Sequence, residues 1–145
     1  MTTHIGFIGA GSMGGPIAAN LLKHGHSLVA YDIDAAAIER LKVLGAEAAP
    51  SPRVVASDAA IVFLCLPTLD ALREVTLGTE GLCQGTATSI CVNFSTAGPV
   101  ELRAVIERAR DTPSANASHV ATKAANESML LTSFITCAWP GSAPT

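Results

Sequence analysis

Gly9, Gly11 and Gly14 stand in the spacing G-x-G-x-x-G, within Gly9–Ala10–Gly11–Ser12–Met13–Gly14. That spacing suits a phosphate seat. The first glycine permits a tight turn, the second lets a pyrophosphate lie against bare backbone, and the third lets a following helix pack closely on a sheet. N–H groups at the helix start then face the phosphates, and the helix dipole favours their charge. Asp32 lies 18 residues beyond Gly14. A carboxylate there accepts hydrogen bonds from the adenosine ribose hydroxyls and opposes a 2′-phosphate, which favours NAD over NADP. A glycine triplet alone is equally well explained as a turn, so the dinucleotide reading depends on the elements around it.

Those elements are present. Ile5–Gly6–Phe7–Ile8 reads as a buried strand entering the turn, and Ile17, Ala18, Leu21 and Leu22 follow at helical spacing. The helix is expected over Met13–His24, with Pro16 in its first turn and Gly25 ending it. Ser27–Leu28–Val29–Ala30–Tyr31 forms a second strand that delivers Asp32. Asp34 is a plausible N-cap for a helix striped by Ile38, Leu41 and Leu44, and Gly45 stops it. A short strand at Ala46–Ala49 and a brief helix at Arg53–Ala56 come next. Ala59–Leu66 is nearly all apolar, as a strand buried on both faces would be, and Pro67 ends it. A helix over Thr68–Val75, a fifth strand over Thr88–Phe94, and a helix carrying Leu102, Val105, Ile106 and Ala109 complete the alternation. Alternating strands and helices imply an α/β, Rossmann-type doubly wound parallel sheet with right-handed crossovers. Ligands bind such sheets beyond the carboxyl ends of the strands. Gly9–Gly14, Asp32, Leu66–Thr68 and Ser95–Thr96 all follow strand ends, so the fold brings them to one rim.

The bulk composition narrows the partners. The 145 residues are 49% hydrophobic and 14% charged, which argues for a packed core and against extensive disorder. The net charge is −3 without a lysine–arginine cluster, so nucleic acid and anionic membrane are poor partners. No apolar run is long enough for a membrane span, and no basic stretch precedes an apolar one at the N-terminus. Cys65, Cys83, Cys91 and Cys137 lack C-x-x-C spacing, which predicts a reducing cytoplasm with neither metal site nor disulfide frame. His4, His24, His26 and His119 are scattered and are read as structural or exposed.

Three stretches together resemble the N-terminal domain of the β-hydroxyacid dehydrogenase family, which includes 3-hydroxyisobutyrate dehydrogenase and tartronate semialdehyde reductase. They are Phe7–Ala18, Leu66–Pro67–Thr68 and Asn93–Phe94–Ser95–Thr96–Ala97–Gly98–Pro99. The family usually has leucine at Ala10, methionine at Ile17 and aspartate at Asn93. The likeness spans roughly residues 4–110, and Met13 with the S-T-x-x-P turn makes it specific. It implies that Gly9, Ala10, Gly11, Ser12, Met13, Gly14 and Asp32 bind NAD, with Leu66 and Pro67 lining the cofactor. Thr96 would lie near the nicotinamide and Ser95 would position a substrate carboxylate. The plain alternatives are a helix-breaking Pro67 and a helix-capping Ser95 or Thr96.

The family carries a second, all-helical domain with a catalytic lysine in G-x-G-x-x-x-K-x-x-x-N. Ala117–Glu127 is similar to that motif, with Lys123 at the lysine and Ala117 and His119 replacing the glycines. The segment between, with the family's D-A-P-V-S-G-G stretch, is absent. A solvated Lys123 paired with Glu127 is the competing explanation. The expectation is a dinucleotide-binding domain over 1–110 and, over 111–145, a shortened helical remnant of the second domain. Leu130, Leu131, Phe134, Ile135 and Ala138 would form one apolar helical face, which would fold back, pair with another copy in a homo-oligomer, or stay disordered. Three functions follow: an NAD-dependent oxidoreductase transferring hydride between the nicotinamide and a small β-hydroxy acid, an inactive NAD-binding module, or an imine reductase relative. The last usually prefers NADPH, against which Asp32 argues.

Overall fold

Side-chain alternation along the strands decides the layers. In this computed structural model, residues 4–88, 90–94, 103–105 and 107–108 are described with their side chains, and 119–123 and 134–138 as backbone. The chain runs β1 (Ile5–Ile8), α1 (Gly14–Lys23), β2 (Leu28–Tyr31), α2 (Ala35–Val43), β3 (Glu47–Ala48), α3 (Pro52–Asp58), β4 (Ile61–Leu64) and α4 (Leu69–Leu77). A 3-10 turn (Leu82–Gln84), β5 (Ile90–Asn93), β6 (His119–Lys123) and β7 (Phe134–Ala138) follow, with helical residues at 103–105 and 107–108 between β5 and β6. Successive strand residues point to opposite faces. Ile8, Val29, Val62 and Leu64 pack with Val55, Leu72 and Val75 of α3 and α4. Phe7, Leu28 and Ala30 pack with Ala18, Ile38 and Leu41 of α1 and α2 on the other side. Burial on both faces is why these strands read as unbroken apolar runs.

The sheet order is β3-β2-β1-β4-β5-β7-β6. The first five strands are all parallel. The expected doubly wound parallel sheet is thus present, with helices on both faces.

Local chemistry sets the helix ends. Asp34 caps α2 by accepting from Ala36 N at 2.9 Å, as its position suggested. Gly25 and Gly45 adopt left-handed φ values of 83° and 103° and close α1 and α2. Ser51 caps α3 with Pro52 at its first position, so that helix starts earlier and ends later than the expected Arg53–Ala56.

The tail corrects one expectation. Residues 119–123 and 134–138, read as parts of a helical remnant, are strands. β7 pairs antiparallel with β5, through Cys91↔Ile135 and Val92↔Phe134, and β6 pairs antiparallel with β7. Phe134–Ile135–Thr136 is β-branched or aromatic throughout, and β5 offers it an open row of backbone groups. Those two terms outweigh the helical spacing. Phe134, Ile135 and Ala138 therefore do not make the helical face through which pairing with another copy was expected; Leu130 and Leu131 lie outside the described residues.

Candidate functional site

The order of the sheet reverses at β1, which has β2 on one side and β4 on the other. A crevice therefore opens beyond the ends of these strands. Their last residues are level: Ile8 pairs with Tyr31 and with Leu64, and Leu64 pairs with Asn93. Backbone bonds continue the alignment one step further. Gly9 N donates to Tyr31 O at 3.1 Å, Cys65 N to Ile8 O at 2.9 Å and Phe94 N to Leu64 O at 2.8 Å. Gly9, Asp32, Cys65 and Phe94 thus begin four loops on one rim.

The three glycines differ in what holds them. Gly9 has φ +95°, and a Cβ there would strike the Cys65 carbonyl. A Cβ on Gly14 would strike the Gly9 carbonyl, with Phe7 Cε1 at 3.1 Å behind it. Both positions are required by the backbone. Gly11 is different: a Cβ there meets nothing within 4 Å. Its bareness is not needed for packing and leaves open, exposed space over the turn.

That space faces a helix start with no side-chain cap. Met13 is the N-cap residue, makes no capping bond, and no acidic residue occupies the first turn of α1. The first N–H groups of a helix have no intrahelical acceptor; here Gly15 N donates to Gly11 O at 2.8 Å and Pro16 has no N–H, so the N–H groups of Met13 and Gly14 are those this start offers an anion. Gly11, Ser12 and Met13 are exposed around them.

Asp32 is half-buried beside the turn. Its Oδ2 accepts from Ala10 N at 2.6 Å and its Oδ1 from Asp34 N at 2.8 Å. An ionised carboxylate has about four acceptor positions, so two remain for sugar hydroxyls. Ile33–Asp34–Ala35–Ala36–Ala37 brings no base that would pair with a 2′-phosphate. These residues fit a dinucleotide with a free 2′-hydroxyl.

The other expected positions fall as follows. Leu66 is half-buried and packs on the core, and Pro67 is exposed beside it. Thr68 caps α4, accepting from Ala71 N at 3.1 Å, which explains it without a ligand. Ser95 and Thr96 lie outside the described residues, directly after Phe94. Lys123 ends β6 and is not on a helix. It pairs with Phe134, which pairs with Val92, so it reaches the rim end of the sheet at its far edge. Four strand spacings separate β6 from β1, roughly 19 Å. The site holds a thiol as well: burial pushes the Cys65 pKa up, which keeps it protonated. Among the histidines, His24 Nδ1 contacts Asn20 O at 2.8 Å and His4 Nδ1 contacts Ser27 Oγ at 3.3 Å, both structural roles. No metal-ligating group occurs among the described residues, and no helix there is long and apolar enough to cross a membrane.

Sequence reasoning missed the bond between Ala10 and Asp32. Neither residue type marks it, because it joins positions 22 apart that meet only when β1 and β2 align.

The family described as the NAD binding domain of 6-phosphogluconate dehydrogenase matches residues 4–119. The chain is 40% identical over 98 residues to 3-sulfolactaldehyde reductase of Escherichia coli, covering 67% of this chain and 33% of that protein. It is 37% identical over 108 residues to 3-hydroxyisobutyrate dehydrogenase of Pseudomonas aeruginosa, covering 74% and 36%. The solved structure of the Mycobacterium tuberculosis 3-hydroxyisobutyrate dehydrogenase superposes with a TM-score of 0.67 at 28% identity, over 77% of this chain and 38% of that one. The chain spans about a third of the length of the curated relatives it matches.

Proposed function

Since the chain belongs to the family defined by the NAD binding domain of 6-phosphogluconate dehydrogenase, we propose that it binds NAD at the turn between β1 and α1. The observation that carries this is the pairing of an open Gly11 with a tethered Asp32 on one rim. The turn and the start of α1 take the pyrophosphate, Asp32 takes the adenosine ribose, and Leu66 and Pro67 line the cofactor. The chain serves an oxidoreductase acting on a small β-hydroxy acid, in line with the dehydrogenase and reductase it resembles. Bound NAD supplies a hydride acceptor in its nicotinamide ring. Thr96 would flank that ring, Ser95 would orient the substrate carboxylate, and Lys123, two strands beyond β5 at the same end of the sheet, would exchange the proton of the substrate hydroxyl. Cysteines without C-x-x-C spacing suit a reducing cytoplasm.

Calorimetric titration with NADH and NADPH tests the cofactor assignment, beside a turnover assay with a panel of β-hydroxy acids. The expected result is saturable NADH binding that exceeds NADPH binding, with the preference reduced in Asp32→Ala. An unchanged preference in that variant refutes the role given to the carboxylate. Turnover lost in Lys123→Ala with NADH binding retained supports the catalytic lysine; binding without turnover in the native chain assigns a binding module instead.

A further inference from the structure

Asp32 does more in this fold than wait for a sugar. Its Oδ2 takes the backbone N–H of Ala10, a residue only 2% exposed that lies between the first two glycines of the turn. Its Oδ1 takes Asp34 N, where α2 is about to start. The turn is otherwise held from β2, through Gly9 N to Tyr31 O, and from its far end, through Gly15 N to Gly11 O at 2.8 Å. The Gly9–Ala10 peptide, the one before the peptide that leads into Gly11, has Asp32 as its anchor. Ala10 N–H is committed to this carboxylate and does not count among the donors offered to phosphate.

We infer that Asp32 is a positioning residue for the phosphate seat, fixing the Ala10 peptide so that the bare Gly11 backbone is presented before any ligand arrives. The inference rests on the dinucleotide reading of the site and deepens it. Sugar recognition and phosphate recognition then share one side chain. Losing the carboxylate must weaken even a ligand that has no sugar hydroxyl to offer, because the turn has to be ordered again on binding.

Charge alone predicts the opposite sign. A carboxylate near a pyrophosphate repels it, so removing that charge would tighten a ligand that makes no sugar contact. The probe is therefore an NADH analogue whose adenosine ribose lacks both the 2′- and 3′-hydroxyls, titrated calorimetrically into the native chain, Asp32→Ala and Asp32→Asn. The positioning role predicts roughly tenfold weaker analogue binding in Asp32→Ala, the effect of losing a charge-assisted hydrogen bond in part. Asp32→Asn keeps an oxygen for Ala10 N–H and should recover most of that loss. Hydrogen exchange supplies the second readout. The Ala10 amide should be protected in the native chain and exposed in Asp32→Ala, while the amides of Phe7 and Ile8 stay protected and exclude unfolding. Equal or tighter analogue binding in Asp32→Ala, or an Ala10 amide unaffected by the change, overturns the inference and leaves the sugar role standing. Failure of both NADH and the analogue to bind the native chain overturns the site itself and the inference with it.

Discussion

Gly11→Ala should leave the fold intact and remove the cofactor. The added methyl meets no atom within 4 Å and the residue is not in the left-handed region, so nothing in the folded chain resists it. Replacing glycine where alanine fits lowers the entropy of the unfolded chain, a gain of up to about 1 kcal/mol. For a chain of this size that raises Tm by at most roughly 4 °C. The same methyl stands where the pyrophosphate must approach the backbone. Forfeiting one charge-assisted hydrogen bond, about 1.5–3 kcal/mol, weakens NADH by roughly 10- to 150-fold. Gly14→Ala and Gly9→Ala are the controls. The first drives a methyl into the Gly9 carbonyl; the second drives one into the Cys65 carbonyl from φ +95°. Each should cost about 2–4 kcal/mol of folding stability. Thermal melts beside calorimetric NADH titration separate the two classes. Native-like NADH affinity in Gly11→Ala, or a melt as early as that of Gly14→Ala, refutes the division between a glycine kept for the ligand and glycines kept for the backbone.

Two further outcomes follow from buried groups. Thr88 Oγ1 lies 2.9 Å from Ala59 O and 3.1 Å from Ala56 O, which also accepts from Ala87 N and Thr88 N at 3.0 Å, so Thr88→Val takes the hydroxyl donor from the Ala59 carbonyl and should lower stability by about 1–3 kcal/mol in urea unfolding; an unchanged midpoint would show that this carbonyl finds another partner. Burial raises the Cys65 pKa above its ordinary 9.0, so less thiolate exists at every pH, and the stability this proton lends is complete below 9.0 and lost as pH climbs through the raised value. Mass-spectrometric alkylation with iodoacetamide near neutral pH should be slower at Cys65 than at a cysteine in an unfolded peptide, and equal rates would count against the burial.

Much of the nucleotide-binding half was legible because its signals are local. A left-handed φ at Gly25 or Gly45, the Asp34 cap, and an unbroken apolar run at β4 each express one short-range preference. The glycine turn and Asp32 were legible for the same reason, as one strand end after another. The motif gave each glycine its own task, and the backbone puts atoms to those tasks: Gly9 and Gly14 answer to carbonyl oxygens of neighbouring backbone, and Gly11 to empty space.

The tail shows what a periodic pattern leaves undecided. Leu130, Leu131, Phe134, Ile135 and Ala138 recur at helical intervals, but a period is only a statement about one segment. The choice at 134–138 depends on what lies beside it, and on the side away from β4 the backbone of β5 takes an antiparallel neighbour. A five-residue segment makes little of a helix on its own, whereas each residue that joins a sheet edge gains a ladder already built. The Asp32–Ala10 bond belongs to the same class of fact, since 22 residues separate its partners and only the β1–β2 register brings them together. In both cases the deciding term is a backbone group waiting for a partner. Such terms become visible once neighbouring strands are in place, and at Asp32 the waiting group sits within the turn that the phosphate would use.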